Sequence, residues 1–258
     1  MARRLTAEFL GTAVLVFIGV GVATLVFGFH VFGIRTASSV AAGVLTVGMA
    51  FGLVLLALVY VIGPVSACHV NPAVTLGAYL TRRISLVEAA GYWAAQFVGG
   101  ILGALLLYGL LSTSPYYSKA RDGLGTNGWG SGSILHVSAG GAFLAEVVLT
   151  GIFVLVVLTV SKQGENKAIA GVPIGFALTA MHIFGIAIDG TSVNPARSLG
   201  PALITGGTPL NQVWLFILAP LVGAVLAAGT HLLLYPADIP PAEAIASTDG
   251  ASGAPTSS

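Results

Sequence analysis

Charge is what this chain most lacks. Only 7% of its 258 residues are Asp, Glu, Lys or Arg, against 56% hydrophobic, whereas a soluble domain carries about a quarter charged. Such a chain cannot clothe a water-facing surface, and a mean hydropathy of +0.96 agrees with a bilayer-embedded protein. Cysteine is nearly absent. Cys68 stands alone, which excludes an intramolecular disulfide framework and a cysteine-rich metal site. The five histidines, His30, His69, His136, His182 and His231, fall at no metal-ligand spacing, and no nucleophile–base pair stands out. No basic cluster offers a surface for nucleic acid. An enzyme, a cofactor, a bound metal and a nucleic-acid partner are therefore not expected.

Long apolar runs are what the chain has. The first extends from Leu5 to about Phe29, broken only by Glu8. It exceeds the 7–15-residue core of a signal peptide and is read as a spanning helix. Further runs cover 37–62, closed by Gly63-Pro64, then 86–111, 139–161, 168–188 and 212–235. Residues 30–35 and 162–167 form short loops. The stretch 112–138 is the longest polar connection and is expected to be exposed. From Pro236 onward Pro, Ala, Ser, Thr and Gly dominate, which predicts a disordered tail over 236–258.

One octapeptide occurs in two versions, Val70-Asn71-Pro72-Ala73-Val74-Thr75-Leu76-Gly77 and Val193-Asn194-Pro195-Ala196-Arg197-Ser198-Leu199-Gly200, 123 residues apart. Each reads as a helix start, with Asn as N-cap and Pro at the first helical position. About ten apolar residues follow the first Asn, giving ~15 Å of helix at 1.5 Å per residue. That is half of a ~30 Å hydrocarbon core. Two half-helices from opposite faces would meet near the midplane. The repeat extends further: Ala7-Glu8 and Thr12 match Ala145-Glu146 and Thr150, and Gln96-Phe97-Val98-Gly99 matches Pro220-Leu221-Val222-Gly223.

The expected fold is thus an all-α membrane protein of six transmembrane helices and two re-entrant half-helices. Three spans per half make the repeat inverted, 3+3. It forms one domain over 1–235, with repeats at about 5–111 and 139–235. Arg3, Arg4, Arg82, Arg83, Lys162 and Lys167 fall on one side, and Arg35, Lys119 and Arg121 on the other. The positive-inside rule then puts both termini in the cytoplasm.

Particular residues suggest chemistry. Asn71 and Asn194 would direct their amides into a lumen. The half-helix N-termini add ~+0.5 charge each, which repels cations there. Arg197 is the one basic residue in a membrane-embedded segment, where a charge costs at least ~2.5–3.5 kcal/mol, so it should face water. Glu8 and Glu146 are read as acceptors for irregular backbone that lipid cannot satisfy. A proton relay or a paired-carboxylate enzyme is the sharper alternative. His69 would hold loop backbone. Cys68 stands three residues before Asn71, as Thr191 stands before Asn194; it is either pore-flanking or a buried inert thiol.

On the two Asn-Pro-Ala motifs, the Arg197-Ser198 sequel and the half-to-half repeat, the chain resembles the aquaporin (major intrinsic protein) family, in its bacterial water-selective branch. The resemblance implies an aquaporin-like right-handed barrel, a pore in each subunit and a homotetramer in the cell (inner) membrane, surrounded by lipid. It also implies a selectivity filter of Phe51, His182, Thr191 and Arg197, at the family's spacings from Asn71 and Asn194. Taken singly, Phe51 reads better as core and His182 as an interhelical histidine; the joint pattern reverses that and favours the filter. The implied activity is passive, water-selective permeation driven by osmotic gradients, excluding protons and ions. A glycerol or small-solute facilitator is the nearest rival. Against it, Ser198 stands where glycerol channels carry Asp, and His182 where they are small and apolar. Ile217 departs from the Trp usual in water channels. An ion-coupled secondary transporter is the rival of another class, with Asp189, Glu8 and Glu146 as its candidate coupling acids.

Overall fold

Among the described residues of the computed structural model, 1–28, 37–161 and 169–236, every regular element is helical. The expected loops at 30–35 and 162–167, and the tail from residue 237, lie outside them. Eight helices carry the architecture: α1 (Ala2–Gly28), α2 (Ala37–Ser66), α3 (Pro72–Leu80), α4 (Leu86–Leu111), α5 (Ala139–Val160), α6 (Gly171–Asp189), α7 (Pro195–Thr205) and α8 (Gly207–Leu234). Six of these, all but α3 and α7, are long and apolar enough to cross a membrane. The two short helices have nine and eleven residues, about 14 and 17 Å of rise.

Local chemistry explains the boundaries. Ser85 and Ser138 cap α4 and α5, each hydroxyl accepting from a backbone N–H at 3.2 Å. Asn71 and Asn194 cap α3 and α7, with Pro at the first helical position of each. α6 ends on Gly190 in the left-handed conformation, φ 83°. One expected boundary moves. α2 does not stop at Ile62 but runs through Pro64 to Ser66. Proline deletes only one helical hydrogen bond, and Tyr92 Oη donates to Ser66 O at 2.9 Å, satisfying the terminal carbonyl.

The helices pack as an inverted repeat. α1 lies along α4 in the first half and α5 along α8 in the second, while α2 and α6 join the halves. Each half-helix is held by the last span of the opposite half: α3 packs on α8, and α7 on α4. Small residues set the α4–α7 distance. A Cβ on Gly100 would stand 2.5 Å from Ala196 O, and one on Gly200 would collide with Gly100 O. The half-helices run to opposite faces. Just past α3, Arg83 Nη2 donates to Leu158 O at the far end of α5 (2.6 Å). At the end of α7, Ile204 O instead accepts from Lys119 Nζ (3.0 Å), in the connection that leads into α5.

That connection, 112–138, is not simply exposed. Leu124, Asp122, Asn127 and Ser133 are buried, because the segment folds back over one mouth of the bundle. Its turn is tied by Arg121, whose guanidinium donates to both Asp122 carboxylate oxygens (2.7 Å each) and to Tyr116 O. The Tyr117 phenol, pushed up to about 12 chiefly by desolvation, remains a donor to Gly123 O at 2.8 Å.

Candidate functional site

The segments leading into the two half-helices share one backbone course. Ala67, Cys68 and Val70 have φ of 66°, 54° and 44°; the matching Gly190, Thr191 and Val193 have 83°, 48° and 45°. Left-handed backbone at a β-branched residue is strained, so something must hold it. Buried carboxylates do. Glu8 accepts from His69 N (2.9 Å, Oε1) and Val70 N (2.6 Å, Oε2). Glu146 accepts from Ser192 N (2.6 Å, Oε1) and Val193 N (2.8 Å, Oε2). Glu8 also accepts from Ser66 Oγ and Gln96 Nε2, both at 2.7 Å. The His69 ring lies 3.1 Å from the Thr75 hydroxyl, and its main chain carries the bond to Glu8.

The two asparagines meet. Asn71 Oδ1 accepts from Ala73 N (2.8 Å), and its Nδ2 donates across the fold to Val193 O (2.7 Å). Asn194 Oδ1 accepts from Ala196 N (3.0 Å) and Arg197 N (3.3 Å), and its Nδ2 donates to Val70 O (2.9 Å). Each amide uses one of its two hydrogens in this exchange, and both side chains line one narrow cavity. Pro72, Ala73, Pro195 and Ala196 are buried behind them as the first helical turns.

Phe51, His182 and Arg197 line the same cavity. Phe51 stacks on His182 with ring centroids 4.1 Å apart and an interplanar angle of 21°, and Arg197 Cζ lies 5.1 Å over the Phe51 ring. A cation over an aromatic face is attracted by its quadrupole. His182 Nδ1 donates to Leu178 O (3.0 Å), which leaves Nε2 as an acceptor. Arg197 donates through Nη1 to Gly125 O (2.9 Å) and Asn127 Oδ1 (3.0 Å), and through Nη2 to Gly190 O (3.5 Å). Arg197 Nε and His182 Nε2 have no partner among the described residues. Arg197 also lines a second cavity, of about 120 Å³, beneath the folded-back connection. Arg197, beside Phe51 and His182, is shared by the two linings and marks the neck between them.

Two candidate residues stand apart from both linings, and of the two readings of Cys68 the buried thiol is the one the structure shows. Thr191 lines neither cavity; its side chain lies where a Cβ on Gly185 would reach, beside Leu149. Cys68 is buried with its Cβ toward Gly63, and it too lines neither cavity. Other residues join the neck that the motif pattern does not point to. Asn127 Oδ1 takes both Arg197 Nη1 and Ser198 Oγ (2.8 Å). Gly19 in α1, within a π-helical turn, leaves room for the Phe51 ring, which a Cβ there would strike at 2.5 Å. An Asn-Gly pair in a polar loop looks like a turn, so nothing local marked Asn127.

Known proteins resemble the chain in sequence over most of its length. The family model described as Major intrinsic protein matches residues 1–231. Aquaporin Z of Photorhabdus laumondii is 37% identical over 235 residues, covering 91% of this chain and 98% of that protein. Aquaporin Z of Brucella melitensis is 40% identical over 228 residues, covering 88% and 96%. The X-ray structure of the aquaglyceroporin from Plasmodium falciparum superposes with a TM-score of 0.74 at 24% identity, over 89% of this chain and 95% of that one, and so speaks for the fold alone. With duplicated Asn-Pro-Ala caps meeting in the core and a family match over nearly all of its length, the chain belongs to the major intrinsic protein family.

Proposed function

We propose that the protein is a passive channel for water, driven by osmotic gradients and closed to ions and protons. One observation carries the reading: the neck offers an unpaired acceptor, His182 Nε2, and an unpaired donor, Arg197 Nε. Buried polar groups seek partners, and a water molecule supplies one of each kind. Below the neck, the second amide hydrogens of Asn71 and Asn194 would turn the oxygen of a passing water toward them. The converging N-termini of α3 and α7 add positive potential, which disfavours cations. A chain of waters oriented this way relays protons poorly.

The rival readings meet specific obstacles. An ion-coupled transporter needs acids facing the permeant, yet Glu8, Glu146 and Asp189 line neither cavity among the described residues. Both glutamates are engaged with backbone N–H groups. A glycerol facilitator needs a wider neck than a Phe51–His182 stack beside an arginine allows. The relatives named aquaporin Z support water as the permeant. Phe51, His182 and Arg197 then form the filter, and the two Asn-Pro-Ala turns form the second constriction. The chain would act as one channel domain over 1–235, assembled as a homotetramer in the inner membrane with both termini cytoplasmic; the loop charges and the family resemblance support this.

Light scattering of reconstituted vesicles after an osmotic jump tests the function, alongside glycerol uptake and proton leak. Fast shrinkage with low activation energy and no proton conductance is expected. Glycerol uptake as fast as water, or flux that depends on an ion gradient, would overturn the reading.

A further inference from the structure

The inverted repeat supplies its own control experiment at one buried acid. Asp189 ends α6 as Ser66 ends α2, each five residues before its motif asparagine. The two surroundings match contact by contact. Ser66 Oγ accepts from Cys68 N at 3.2 Å, and Asp189 Oδ1 accepts from Thr191 N at 3.0 Å. The next two backbone N–H groups go to the glutamate in each half.

One contact differs in kind. Ser66 Oγ also donates to Glu8 Oε1 at 2.7 Å, and Gln96 Nε2 donates to Oε2. In the second half Pro220 stands at the Gln96 position and offers no donor. Asp189 occupies the Ser66 position, and its fully buried carboxyl and that of Glu146 hold adjacent N–H groups of one lead-in, Thr191 N at 3.0 Å and Ser192 N at 2.6 Å. An ionised carboxylate is an acceptor only. Two of them facing one another out of water would repel without a bond between them. Asp189 Oδ2 finds no donor among the described residues. Among the described residues, the charged group that acts on both carboxyls is Arg197, from α7.

We propose that Asp189 is a positioning residue that works in its acid form, its carboxyl O–H donating to Glu146 as the Ser66 hydroxyl donates to Glu8. The proton so held keeps the Asp189–Val193 lead-in seated. Asp189 O accepts from Gly128 N (3.0 Å) and Asn127 Nδ2 (3.4 Å), and the adjoining Gly190 O accepts from Arg197. Losing the proton sets two like charges against each other at the joint between α5, the lead-in and the folded-back connection. The lead-in shifts, and with it Gly190 O, one of the two backbone carbonyls that hold Arg197 at the neck. The pair titrates as a unit, one proton over two carboxyls.

This inference rests on the water-channel reading for its flux consequence, not for the proton itself. The test therefore has two arms, both on the full chain in lipid. Infrared spectra at neutral pH should show a protonated-carboxyl C=O band that disappears in Asp189→Ser and in Asp189→Asn. Osmotic water permeability should fall severalfold between neutral and alkaline pH in the natural chain, and stay level in Asp189→Ser, which restores the donor used by the first half. A carboxyl band untouched by either substitution, or an equal alkaline loss in Asp189→Ser, would overturn the proposal. Failure of the water-channel reading would look different: no water flux at any pH, with the carboxyl band still present.

Discussion

Replacing Glu8 with Gln removes one oxygen acceptor from the centre of the first half and changes almost nothing in volume. In the structure the carboxylate takes four donors: Ser66 Oγ and His69 N on Oε1, Val70 N and Gln96 Nε2 on Oε2. A glutamine keeps one oxygen, so two of the four donors meet an NH₂ group. Each buried donor left without its acceptor costs about 1–3 kcal/mol, which makes about 2–6 kcal/mol for the pair. Against a total stability of about 5–15 kcal/mol for a folded protein, that is a large loss. The left-handed backbone at Ala67, Cys68 and Val70 has no other carboxylate to hold it, so the first lead-in should loosen before the spans do. Thermal unfolding in detergent should show a midpoint lowered by roughly 10 °C. Permeability per folded channel should fall with it, and proton leak should not rise. A Glu8→Gln protein as stable as the natural one but devoid of water flux would refute the reasoning, because it would assign the carboxylate to a relay and not to the backbone.

Other outcomes follow from the neck and the packing. Arg197→Val removes three hydrogen bonds to the folded-back connection and lead-in, and glycerol uptake should rise about tenfold, the scale on which loss of one group relaxes discrimination; unchanged uptake would place the filter elsewhere. Asn127→Ala leaves one Arg197 Nη1 hydrogen short of its acceptor while Ser198 Oγ keeps Ser192 Oγ at 2.6 Å, a cost of about 1–3 kcal/mol, and should raise glycerol leak in the same assay with water flux retained. Gly200→Val drives a side chain into Gly100 O, an overpacking cost of at least ~1–3 kcal/mol that thermal unfolding would register as a lowered midpoint. Cys68 faces Gly63 and lines neither cavity, so a mercurial should leave water flux unaltered in both the natural chain and Cys68→Ser; block relieved by that substitution would put the thiol on the water path.

What could be read without coordinates was local or repeated. The span 86–111 begins at a serine cap and ends where the apolar run ends, and both limits coincide with α4. The half-helices announce themselves because an Asn cap followed by Pro is a backbone signal complete within three residues. Duplication then supplied the inverted topology, and it supplied the role of Glu8 and Glu146, since an acid at the same place in both repeats must answer a need present in both. Other features belong to the fold alone. The turn of Cys68 and Thr191 away from the cavity depends on left-handed backbone torsions, which the residue types there do not favour. Stacking of Phe51 on His182 needs α2 and α6 side by side, with Gly19 of α1 giving way. Asn127 reaches Arg197 across 70 residues of chain only because the 112–138 connection folds back into the mouth. Hydrophobic runs, caps and repeats act through neighbours along the chain and so are written in its order. The direction a side chain takes within a crowded, membrane-buried interior is settled by partners far away in sequence, and only packing selects them.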